Sequence, residues 1–139
     1  MSGHNHSHHS SGTQRLKNVK SVPGAIYIKR MLHDEAIVIS ASLSVIAKDG
    51  EICDYVAKEL ETAGAQITEM GGIIGHIKAT TVTTKTKMIS VTEEKAMIKD
   101  ALECKVVITV AAIVFLVEQK TAGDIIRQSL VNVRERARG

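Results

Sequence analysis

Between residues 36 and 47 the chain reads AIVISASLSVIA, alternating with period two. Ile37, Ile39, Ala41, Leu43 and Val45 fall on one side, and Val38, Ser40, Ser42, Ser44 and Ile46 on the other. Successive strand side chains point to opposite faces, so this pattern predicts a strand with one dry and one wetter face. Ile52, Val56 and Leu60 then recur at the spacing of an amphipathic helix over residues 51–63. Asp49 is placed to cap that helix and Gly64 to close it.

Residues 73–84 and 87–92 alternate again and read as two strands joined through a Thr-Lys-Thr-Lys turn. Glu93 and Glu94 suit the first turn of a helix running to residue 103, with Met97, Ile98, Ala101 and Leu102 as its buried stripe. Residues 106–117, VVITVAAIVFLV, are apolar on both faces, as in a central strand. Thr121 and Asp124 open a last helix with Ile125, Ile126, Leu130 and Val133 inward and a basic outer face. The order β-α-β-β-α-β-α predicts an α+β fold, a ferredoxin-like β-α-β-β-α-β antiparallel sheet with an added C-terminal helix. The run AIYIKRML after Pro23-Gly24 offers an edge strand, and an alternative arrangement uses residues 25–32 as a fifth strand.

A length of 139 residues suits one core, placed at residues 36–139 behind a basic lead-in at 13–35. Residues 1–12, MSGHNHSHHSSG, have nothing apolar to bury beyond Met1, and disorder is the expectation there. That segment reads either as native or as an appended tag. If native, His4, His6, His8 and His9 would capture nickel, zinc or copper. At 44% hydrophobic residues, general disorder is excluded. The only aromatics, Tyr27, Tyr55 and Phe115, are too few for a base-stacking platform, which argues against nucleic acid as a partner. The net charge of +3 comes largely from residues near the two ends, read as solvated.

No CxxC or zinc-type spacing surrounds Cys53 and Cys104, so both read as reduced thiols of a cytoplasmic protein. The longest apolar stretch falls short of the roughly 20 residues that span a bilayer, and no secretory h-region is visible.

The candidate chemistry lies in residues 71–92. His76, Lys78, Thr80 and Thr84 share one face of a strand, beside the serine row that includes Ser42. A cation, an imidazole and hydroxyls there could hold a carboxylate or phosphate group, helped by the backbone amides of Gly71, Gly72 and Gly75. The same pattern also suits a solvated sheet face or a subunit contact. The glycines lead into a strand and lack G-x-G-x-x-G, so a nucleotide loop is excluded, and a turn plus a bulge at Gly75 is preferred.

No GxSxG, Cys-His signature or HExxH occurs, and no catalytic set is assigned. His33, Asp34 and Glu35 read as a solvated turn before a metal corner. The leading expectation is a non-enzymatic accessory or regulatory domain, a homo-oligomer binding a small anionic ligand or a metal on its sheet face. The alternatives are metal delivery or storage through the histidine tail, and a small enzyme with His76 as general base.

Overall fold

The computed structural model describes residues 22–48 and 50–138. The histidine tail with His4, His6, His8 and His9, most of the lead-in, and the Asp49 cap lie outside these residues. The elements run β1 (Ile26–His33), β2 (Ala36–Ala47), α1 (Ile52–Glu69), β3 (Ile73–Thr84), β4 (Lys87–Thr92), β5 (Lys95–Asp100), β6 (Cys104–Phe115) and α2 (Gln119–Arg138). The fold is α+β, with two helices and a four-stranded antiparallel sheet in the order β1-β2-β6-β3. β2, α1 and β3 form one split β-α-β unit with β6 inserted between its strands.

This is not the ferredoxin-like arrangement, because the second helix of that pattern does not form. Residues 93–103 were expected as a helix; instead Glu93 and Glu94 are a two-residue turn and residues 95–100 are β5. Their apolar residues fit two periods at once. Met97, Ile98, Ala101 and Leu102 satisfy helical spacing, while Ala96, Ile98 and Asp100 alternate with Met97 and Lys99. An isolated helix of that length is marginal in water, and pairing with β4 wins. The hairpin expected between residues 73–84 and 87–92 is likewise absent. β3 pairs with β6 and β4 with β5. Thr84 faces Lys105, and beyond them the Ala101 amide donates to the Thr86 carbonyl at 3.0 Å. The two chains therefore stay paired through a short break, and β4-β5 extends the β3-β6 ribbon out of the sheet.

The core lies between the sheet and both helices. Ile37, Ile39, Ala41, Leu43 and Val45 of β2 face it with Val106, Ile108, Val110, Ala112 and Val114 of β6. Ile52, Val56, Ala63 and Ile67 of α1 and Ile126, Leu130 and Val133 of α2 close it. β6 is central, but only one of its faces is covered. Lys105, Thr109, Ala111 and Ile113 on its other face are exposed, contrary to the expectation of burial on both sides.

α1 does not stop at Gly64. The helix runs on to Glu69 and ends where Gly71 takes φ +86°, with the amides of Gly71 and Gly72 donating to the carbonyls of Thr68 and Ile67. This paired closure needs a left-handed residue after the last turn, which glycine supplies without a Cβ clash.

The two helices are joined by a polar lock. Glu59, buried on α1, accepts from the Asn132 side-chain amide at 2.9 Å and pairs with Arg136 at 3.3 Å; Arg136 also lies 5.6 Å from the Tyr55 ring centroid. Arg136 is partly exposed, so solvent weakens the ionic part. Glu59→Ala is expected to lower unfolding free energy in urea by about 1–2 kcal/mol, since the Asn132 amide loses its acceptor. Glu59→Gln keeps an acceptor oxygen and is expected to lose less.

Candidate functional site

Both helices cover the same side of the sheet; on the other side Lys29, Ser40, Lys78, Thr80 and Ile113 are exposed, while Ser44 is buried. Strand register fixes what that side presents. One row across it is Met31, Val38, Ile113 and His76; the next is Lys29, Ser40, Ala111 and Lys78; the third is Tyr27, Ser42, Thr109 and Thr80. His76, Lys78, Thr80 and Ser42 thus share one face, with Thr80 and Ser42 in one row separated only by Thr109.

Gly75 has a different part in this arrangement. The register slips between Ile74 and His76, leaving Gly75 as an extra residue. Ile74 pairs with Val114 on the core side, while His76 pairs with Ile113 on the open side. In an unbroken strand these two residues would share a face. A Cβ on Gly75 would stand 3.1 Å from the Ile113 carbonyl oxygen and 3.1 Å from the Phe115 ring, a tight fit that favours glycine at the bulge. Gly75 is therefore the residue that aims His76 outward. The amides of Gly71 and Gly72 already close α1, so they do not serve as anion donors.

The candidate residues drawn from the sequence lie on β2 and β3, and strand register sets further residues beside them. Lys29 and Tyr27 of β1 stand on the far side, and Ala111 and Thr109 of β6 make the floor. The alternation within IYIKRMLH could have supplied the first two. The pairing of β2 with β6 could not be read locally. Lys29 and Lys78 lie three strand spacings apart, about 14 Å, with the small side chains of Ser40 and Ala111 between them.

The electrostatics are one-sided. The four strands of this sheet contain no Asp or Glu, and they carry Lys29, Arg30, His33, His76, Lys78 and Lys105. Among the described residues no group of three His, Cys, Asp or Glu side chains comes together to hold a metal. His33 and Asp34 approach to 4.0 Å at the exposed β1-β2 turn.

The β4-β5 hairpin is the second unusual surface. Every residue of both strands is exposed, and Met88, Ile89, Val91, Met97 and Ile98 are each 63–70% exposed. Pairing sets Ile89 against Ile98 and Val91 against Ala96 on one face, above a Lys87–Asp100 ion pair of 3.6 Å. Glu93, at φ +60°, and Glu94 form the tip.

Other concavities lie elsewhere. A cleft of about 620 Å³ runs between the helices past Gln66, Met70, Asp124 and Gln128. A groove of about 280 Å³ follows Cys53, Leu60, Ala79 and Thr81. Both cysteines are free, Cys53 exposed and Cys104 buried. No helix among the described residues is long and apolar enough to cross a membrane. Comparison with protein-family models, with curated proteins and with solved structures finds no match.

Proposed function

We propose that this domain is a non-enzymatic accessory or regulatory module that self-associates and holds a small anionic group on its open sheet face. The observation that carries the reading is the row Lys29, Ser40, Ala111, Lys78 on a sheet free of carboxylates. Two flexible ammonium groups flank a floor of small side chains, with His76 and the hydroxyls of Ser42, Thr109 and Thr80 in the adjacent rows. Carboxylate or phosphate oxygens need such donors, and without acids nearby nothing repels them. The absence of a nucleophile-base pair on this face favours binding over reaction. The free cysteines fit a reducing, cytoplasmic setting.

Titration with inorganic pyrophosphate tests the reading. Saturation at 100 times Kd is expected to raise unfolding free energy by about 2.7 kcal/mol, read as a rise in Tm. Lys78→Ala and His76→Ala are expected to lose most of that rise while unfolding normally without ligand. A Tm indifferent to pyrophosphate in every variant would sink the anion site.

A further inference from the structure

Two surfaces of the molecule are left uncovered, and each has what the other lacks. A two-stranded hairpin is marginal in water by itself, yet β4-β5 projects with its apolar face uncovered. The open sheet face carries only cations, bordered by apolar rows. Met31, Val38 and Ile113 lie on one side of the cationic row; Val107 and Val82 lie beyond the hydroxyl row on the other. One face of the hairpin carries Ile89, Val91, Ala96 and Ile98, and the hairpin ends in Glu93-Glu94 with Lys95 beside them.

We infer that the β4-β5 hairpin is a docking arm that lies on the open sheet face of a second copy of this chain, with Glu93 and Glu94 over Lys29 and Lys78. The inference rests on the anion-accepting reading of that face and names the partner that supplies the anion.

Three physical arguments select a second copy. The charges complement, acid at the arm tip and cations without acids on the sheet. The spacing also matches. Val91 with Ala96, and then Ile89 with Ile98, step back from the tip by two residues at a time, about 6.6 Å in a strand. The sheet steps by the same two residues from Lys78 to Thr80 and Val82, and from Ala111 to Thr109 and Val107. An arm that enters from the Val82–Val107 end with its acidic tip over the lysine row sets Ile89 and Ile98 over those two valines. Finally, a twofold pair exchanges two arms and makes each contact twice. That doubling lets a small arm approach the roughly 800 Å² per partner of a stable interface.

The test uses the full chain in light scattering after size exclusion at low ionic strength. The unaltered protein is expected to run as an oligomer. E93K/E94K and K29E/K78E are each expected to weaken association about tenfold or more, the size of a 1.4 kcal/mol loss. An equimolar mixture of the two variants has opposite charges in both arm–face pairs of a mixed dimer and is expected to recover a mixed assembly. All four positions are exposed, and circular dichroism checks that both variants fold. A monomeric full chain, variants that assemble like the original, or a mixture that fails to recover would each overturn the docking. A separate failure is recognisable too. If pyrophosphate neither binds nor competes, yet the charge-swapped mixture recovers, the arm stands and the small-ligand reading falls.

Discussion

A chain in which residues 86–103 are replaced by Asn-Gly is expected to fold with nearly unchanged thermal stability and to lose self-association entirely. Thr84 and Lys105 are directly paired, so Lys85 and Cys104 can flank a two-residue turn of the type that suits strand twist. All the strand residues removed are exposed, and β4 and β5 pair with each other rather than with the sheet, so little core packing is lost. Shortening the connection lowers its closure entropy at about 0.6 kcal/mol per halving, a gain of up to about 2 kcal/mol. Melting curves and light scattering together decide the outcome. Unfolding of the shortened chain would mean that the hairpin supports the sheet, whereas retention of the full chain's oligomeric mass would place the interface elsewhere.

The second large effect belongs to the core. Ile108→Ala is expected to lower unfolding free energy by about 3 kcal/mol and Tm by roughly 10 °C. Ile108 is fully buried on the central strand, paired with Leu43 on one side and Thr81 on the other. Neighbours held by ladders on both sides cannot collapse into the space it leaves. Ile113→Ala, on the same strand but on the open face, is expected to cost under about 1 kcal/mol, because Ile113 is 36% exposed. Equal losses at the two sites, measured in denaturant, would contradict the one-sided core.

Much of the fold was legible in residues whose partners are simple to infer. The alternations over residues 36–47, 73–84 and 87–92 correspond to β2, β3 and β4; in β2 and β3 a half-covered strand writes its two faces directly into sequence, whereas β4 is exposed on both. Ile125, Ile126, Leu130 and Val133 are buried on α2 as their spacing implies. The errors share one cause. Met97 and Ile98 suit a helix or a strand, and only the continuation of the β3-β6 ribbon decides between them. Gly64 looked like a helix end, whereas the closure waited for Gly71, where backbone amides and a positive φ coincide. Of the candidate residues, His76, Lys78, Thr80 and Ser42 share one sheet face, as the polar sides of their own strands imply. Lys29, Ala111 and Thr109 were missed because they join the face only through pairing between distant segments.

The position of β6 has a consequence for how the chain is made. β2 and β3 are both held by β6 and not by each other, and β6 is the last strand in the sequence. During synthesis the earlier strands emerge with only local hairpins to form, β1 with β2 and later β4 with β5. The sheet closes when residues 104–115 have left the ribosome and slide between two waiting edges. Until then Ile39, Leu43 and Ile67 have only part of their eventual cover, so the nascent chain passes through a long interval of exposed apolar surface. Assembly of this protein therefore begins with a nearly complete chain, and a chain truncated before β6 would be a substrate for chaperones rather than a smaller version of the domain.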